Sequence, residues 1–476
     1  MQTLVSPLRS GINLAFQNVT PTRLRLLLFL NCSAAILFAF AAVTTVQQHN
    51  HAVRTVGVDA APSVIAAHEI KIGVQMMDAD LADELLYPAQ GAETVEERSD
   101  FEKWRVRASK QLVSAAKNIT YGQAEQIPIE NIQIAYGKYL MQVQNVRDLH
   151  NAQKADAALS AYRQGLENVQ TEILPAADAL NKANADVLET IYAEEKAATN
   201  LSRGFVLVTG LILIAALLYT QIFLSVHFRR RLNVPMLFAT ICVTLFLQKL
   251  GSALGDNSNF LKVAKEDSYN SIFSLLDARS NAYAALAAES RWLLDRQNAA
   301  VYQKEYSERV ALVAKFDNGD NAAKTVQLAK NQLAANERLN LPGFSGSMAD
   351  ELGNARFPGE AQAAMEALEQ FGDFCAFDAK IRDWENSGNH AAAVKLCLGY
   401  NPSQSKYSFS KFDDALERTL QINQDQLQYS VDAALHNLSG LSIGAEVIAL
   451  IAGICACLGL LPRIEEYVHC SPKPRH

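Results

Sequence analysis

The sequence predicts an all-α protein, a four-span helical membrane protein carrying two extracytoplasmic domains that resemble four-helix bundles. Three observations predict it: four stretches of about twenty mostly apolar residues, long polar segments with helical periodicity between them, and arginine clusters beside alternate span ends.

The spans are placed at 26–46, 205–226, 232–250 and 441–461, each close to the length that crosses a hydrocarbon core of about 30 Å. In the third, Pro235 stands in the first turn, where proline is tolerated, and Gln248 and Lys249 close the apolar run. It is required, because without it the fourth span would reverse its direction. The first span contains a small-x-small site at Ala39, Phe40 and Ala41. Its apolar run exceeds the roughly 7 to 15 residues of a signal peptide, so an uncleaved anchor is expected.

Charge assigns the sides. Residues 1–25 hold Arg9, Arg23 and Arg25 without an acid, the 227–231 loop holds Arg229, Arg230 and Arg231, and the 462–476 tail holds Arg463, Lys473 and Arg475 against Glu465 and Glu466. By the positive-inside rule these three segments and both termini are cytoplasmic. Segments 47–204 and 251–440 then form extracytoplasmic domains 1 and 2. The first holds 15 basic and 22 acidic residues and the second 18 and 25, and neither has a basic stripe, which excludes nucleic acid as a partner. Of seven cysteines only Cys375 and Cys397 fall outside spans and tail. A disulfide between them would close a 22-position loop, worth roughly 3 kcal/mol; the alternative is two buried free thiols.

Helices are read from apolar residues recurring at three and four: Ile132, Tyr136, Tyr139, Val143 and Val146 in domain 1, and Ile272, Leu275, Arg279, Tyr283, Leu286, Ser290 and Leu293 in domain 2. Breaks are expected at Pro62, Pro88, Pro128 and Pro175, then at 255–258, 342–347, 357–359, Gly388 and Pro402, giving roughly four helices per domain. No proline occurs from Asp178 to Val226 or from Ser408 to Leu461, so the last helix of each bundle is expected to run unbroken into its span. Gly204, Gly210, Gly440 and Gly444 are its soft points. Such a helix could transmit a small shift or rotation across the bilayer.

No phosphate-binding glycine loop, nucleophile elbow or zinc-protease motif is present, so neither an enzyme nor a cofactor is expected. His49 and His51 read as a wetted interfacial pair rather than a metal site. Arg279, Arg291 and Arg382 are the candidates for a ligand or partner. A desolvated guanidinium suits a carboxylate, and the competing reading is structural ion pairs with Asp277, Glu289 or Asp378. Lys249 and Glu446 could pair between the third and fourth spans, and further intramembrane charges that a transporter would need are absent. Arg229, Arg230 and Arg231 anchor the topology beside anionic lipid and could dock an acidic partner. With only about 47 residues inside, the chain has no room for a kinase or cyclase module, so any signal must pass to another protein.

Singly, the outer segments resemble the four-helix sensor domains of bacterial chemoreceptors. The tandem arrangement, with Asp277-Ala-Arg279, Glu289-Ser-Arg-Trp-Leu-Leu-Asp295, Asp378 to Arg382 and Gly388-Asn-His-Ala-Ala-Ala-Val394, resembles GlnX-type actinobacterial transmembrane proteins. That resemblance implies a link between an extracytoplasmic lipoprotein binding aspartate and glutamate and a soluble serine/threonine kinase, PknG, which controls 2-oxoglutarate use. It also implies a multi-pass protein of the bacterial cell membrane. A homo-oligomer is open on the sequence. The alternative from a different class is a non-catalytic scaffold or assembly subunit of an envelope complex.

Overall fold

The computed structural model describes residues 20–89, 91–228, 233–317 and 319–469. It is helical almost throughout. Helix α1 (Thr20–Arg54) passes through a π-helical turn (Thr55–Ala60) into α2 (Ala61–Leu86), followed by α3 (Ala92–Lys117), α4 (Gln123–Asn151) and α5 (Ala155–Asn168). A second π-turn (Val169–Ile173) leads into the 55-residue α6 (Leu174–Phe228). Helix α7 (Val234–Lys262) enters α8 (Asn270–Leu294) through a third π-turn (Val263–Tyr269), so each half of the chain begins with the same succession of span, π-turn and second helix. Then come α9 (Ala299–Val313), α10 (Ala322–Ala334), α11 (Ser347–Asn354), α12 (Glu360–Asn386), α13 (His390–Leu398), α14 (Ser405–Leu438) and α15 (Leu441–His469). Two-residue strands β1 (Lys315–Phe316) and β2 (Phe344–Ser345) pair antiparallel.

Prolines break fewer helices than the sequence suggests. Pro62 and Pro175 each stand two residues beyond a π-turn. A proline ring presses on the carbonyl four residues back and offers no N–H; the widened turn absorbs both effects and the helix continues. Pro128 is likewise carried inside α4, and 255–258 lie within α7. The expected unbroken helix is found in α6. In the second half it is interrupted between α14 and α15, where Gly440 adopts φ +73°, a left-handed conformation that stops a helix and suits glycine; Gly204, Gly210 and Gly444 remain helical.

The chain divides into two compact units. One comprises 1–53, 193–260 and 433–476, within which lie parts of four helical segments long and apolar enough to cross a membrane. Its core joins Phe38, Leu213, Leu217, Val243 and Ala445, while Phe29, Ile36, Leu211 and Leu450 face outward. Asn31 donates to Thr220 Oγ1 at 2.8 Å inside it. His49 is not wetted: it is fully buried, with Nδ1 2.7 Å from Glu195 Oε1.

The other unit joins Arg54–Tyr192 with Leu261–Asp432. The two outer segments, expected as separate bundles, therefore share one core, in which Ile70, Met77 and Tyr139 of the first occur with Leu293, Ile381 and Leu396 of the second. The physical reason lies in α2 and α8. Both are buried along almost their whole length, so neither has the solvent face that a peripheral bundle helix needs, and they pack on one another.

Candidate functional site

Helix α2 is apolar in most positions yet carries five buried carboxylates: Glu69, Asp78, Asp80, Asp83 and Glu84. Each charge placed in a core must find a counter-ion, because leaving it unpaired costs several kcal/mol. Glu84 accepts from Arg98 Nε at 2.7 Å and Arg147 Nε at 2.9 Å. Glu69 accepts from Arg107 Nε at 2.6 Å. The remaining partners come from the second segment.

Arg279 of α8, 2% exposed, makes a two-pronged contact with Asp413 of α14 (Nε to Oδ1 2.8 Å, Nη2 to Oδ2 2.9 Å). Its Nη1 donates to Glu417 at 2.6 Å and reaches Glu69 at 3.4 Å. Each nitrogen of the guanidinium thus donates to a protein carboxylate. It is a structural ion pair, with partners other than Asp277, Glu289 or Asp378. Burial works against its charge, but Asp413, Tyr283 and Glu69 outweigh it and hold the group well above its ordinary range.

Arg382 of α12 also serves structure, clasping Asp378 one turn back at 2.8 and 2.7 Å with its guanidinium over the Trp292 and Tyr306 rings. The expected disulfide is absent. Cys375 on α12 bonds towards Tyr306 and Cys397 on α13 towards Ser290, so both remain free thiols; burial pushes Cys375 up to about 12 and Cys397 well above its usual value. Lys249 and Glu446 do not pair either. Lys249 is exposed on α7, whereas Glu446 on α15 turns towards α1 and lines a groove with Ala35, Ala39 and Gly453. Arg229, Arg230 and Arg231 lie outside the described residues.

Lys406 of α14 is the cation of a third cluster, with Nζ 2.8 Å from Asp83 and 2.9 Å from both oxygens of Glu97. Asp80, Asp83 and Glu97 bring one oxygen each within 4.8 Å of the others, a spacing that a hard cation could use, but an internal ammonium already serves there. Three carboxylates against one lysine are not neutral. Burial raises Asp80 well above its ordinary value and brings Glu97 to about 7, with Asp83 adding repulsion.

Arg291 differs from these. Buried in α8, it donates from Nη1 to Asp78 at 2.6 Å and lies 2.9 Å from Glu305 through Nη2, but its Nε has no hydrogen-bond partner among the described residues. Beside it opens a cavity of about 250 Å³, walled by α2, the Val169–Ile173 π-turn, the start of α6, α8 and α9. Lys71, paired with Asp178 at 2.6 Å, and Arg309, whose Nη1 donates to Asn281 at 3.0 Å, complete its charged lining.

Residues 52–193 match the family model of an actinobacterial sensor domain. No curated protein and no solved structure matches the chain. The sensor-domain match begins and ends within two residues of Arg54–Tyr192, the first part of the larger unit. In this chain, then, the sensor-domain segment contributes Lys71, Asp78 and Asp178 to the cavity, and the second segment supplies Arg291, Glu305 and Arg309. Arg291 was visible in the sequence as an arginine within a buried helix. Arg309, Lys71 and Asp178 carried no such mark, since a charge spaced along a half-exposed helix looks like a solvated face. The acids of α2 did carry one: Asp78, Asp80, Asp83 and Glu84 interrupt an apolar run that has no polar side.

Proposed function

We propose that the protein is a non-catalytic transmembrane signal relay whose outer unit senses an extracytoplasmic cue and whose helices convey it to a cytoplasmic partner. The observation that carries this reading is the sensor-domain match on residues 52–193. It is supported by the ion pairs that tie that segment to the second one through Arg279, Arg291 and Lys406, so that a change in either is felt by both. Helix α6, continuous from Leu174 to Phe228, holds residues of both units and is the natural carrier of a displacement.

In its specific form the relay receives an amino-acid-loaded lipoprotein outside and hands the signal to a soluble serine/threonine kinase inside. A loaded partner shifts the relay only if it binds the two signalling states with different affinity. Affinity purification from native membranes, with and without aspartate or glutamate, tests this. Ligand-dependent recovery of a solute-binding lipoprotein together with a kinase is the expected result. Recovery of envelope-assembly proteins alone, indifferent to amino acids, would sink the relay and leave a scaffold.

A further inference from the structure

We infer that the cavity beside Arg291 is itself a ligand site, and that it takes a small dipolar metabolite carrying both a carboxylate and an ammonium group, the chemistry of a free α-amino acid. The inference rests on the sensing role proposed above and names the ligand class of that role.

Size comes first. A volume of about 250 Å³ falls below the range of roughly 300 to 1,000 Å³ typical of pockets for drug-sized ligands. At about 30 Å³ per water-sized group it holds on the order of eight such groups. The ligand is therefore a metabolite, not a peptide or nucleotide.

Charge then selects its class. Three cations (Lys71, Arg291, Arg309) and three carboxylates (Asp78, Asp178, Glu305) line the cavity. Within it Arg291 is shared by Asp78 and Glu305, Lys71 is held by Asp178, and Arg309 donates to an amide rather than to a carboxylate. A simple anion would gain Arg309 but meet the three carboxylates, and a simple cation would meet three positive groups. A ligand with both charges complements both sets.

An orphaned donor points the same way. Arg291 Nε is a buried donor without an acceptor among the described residues, whereas Asp78, which accepts from Arg291 Nη1, also takes a hydrogen bond from the Tyr162 hydroxyl. Buried donors are normally satisfied, so Arg291 Nε suits a ligand acceptor. The Val169–Ile173 π-turn forms part of the wall, and such turns recur at functional sites.

The test is isothermal titration calorimetry on the full chain in lipid nanodiscs, with no other protein present. The probes are glycine, L-alanine, L-serine, L-aspartate, L-glutamate and L-glutamine, with acetate, methylamine and inorganic phosphate as single-charge controls. At least one amino acid is expected to bind saturably with Kd below about 1 mM, and the controls at least tenfold more weakly. Arg291→Gln risks unfolding by orphaning Asp78 and Glu305, so Arg309→Gln is the working variant; it breaks no protein carboxylate pair and should weaken binding at least tenfold with an unchanged melting temperature. No saturable amino-acid binding, equal binding of acetate or methylamine, or full affinity in Arg309→Gln would overturn the inference. If the purified chain ignores amino acids while a loaded lipoprotein still drives signalling, this site is refuted and the relay stands.

Discussion

Replacing Arg279 by alanine separates a structural arginine from a sensing one. The side chain is 2% exposed, and its loss would strand three carboxylates unequally. Glu69 keeps Arg107 at 2.6 Å, and Glu417, about half exposed, regains water by rotating outward. Asp413, only 21% exposed, loses both prongs of its pair and bears most of the cost. Breaking one side of a buried pair costs about 3 to 5 kcal/mol; partial rehydration of Asp413 places this case near the lower end, about 3 kcal/mol. For a unit of this size that lowers the melting temperature by about 4 to 8 °C. The assay is a thermal melt of purified protein in detergent, with the yield of folded protein in membranes measured alongside. Arg279→Ala combined with Asp413→Ala should recover part of the loss, because no orphaned charge remains. A melting temperature within about 1 °C of wild type, with signalling abolished, would refute the argument and return Arg279 to the role of ligand residue.

Acidification from pH 8 to about 6.5 should stabilise the unit of Arg54–Tyr192 and Leu261–Asp432, and between about 6.5 and 4.5 two opposing groups should leave its stability nearly flat. Glu97, raised to about 7 in the fold from a carboxyl value of 4.5, opposes folding when ionised, so stability is lost as pH rises through 7; Glu97→Gln should flatten that slope. Below pH 6.5 His68 acts in reverse, since burial lowers it to about 3 and the folded state must exclude a proton the unfolded chain accepts, and its slope offsets that of Glu97; His68→Phe should let stability keep rising on acidification, Glu97→Gln should expose a fall, and melts from pH 5 to 8 check both. Alkylation without reductant should leave Cys397 unlabelled in the native protein and label it fully in denaturant; a Cys375–Cys397 bridge in the intact-mass spectrum would contradict the fold described. Gly57→Ala should destabilise by about 1 to 3 kcal/mol, because its new methyl would lie 2.2 Å from a Val431 methyl of α14; an unchanged denaturation midpoint would show that contact to be looser.

The parts of the fold legible in the sequence are those with local causes. Four apolar stretches and the three-and-four spacing of Ile132 to Val146 state their own structure, and Arg279 was conspicuous because it interrupts an apolar stripe. Its partners were not legible. Asp413 and Glu417 lie 134 and 138 positions away on α14, and periodicity within one helix contains no information about which helix faces it. The same limit hid the merging of the two outer segments, although α2 carried the clue: a helix with no polar side has to be central. Turn chemistry misled in both directions. Proline at 62 and 175 signalled an interruption that π-turns absorb, and among four glycines near span ends only Gly440 takes a left-handed φ.

The charges on α2 do more than demand partners. Glu69 and Asp78 stand nine positions apart on α2, and the cations that meet them, Arg279 and Arg291, stand twelve apart on α8, in the same direction along the chain. The two central helices therefore run parallel, as their matching entries through the Thr55–Ala60 and Val263–Tyr269 π-turns require. Such pairs add little net stability compared with well-packed apolar side chains, yet each is costly to break. Their effect is on register: a slip of one turn, about 5.4 Å, would separate Glu69 from Arg279 and Asp78 from Arg291 together. A ligand bonded to Arg291 Nε would engage one of these two register pairs directly. Among the described residues Arg279, held by Asp413 and Glu417 of α14, would then be the remaining ion pair between α2 and α8, which is why the Arg279 and Arg309 variants should fail differently, the first in folding and the second in binding.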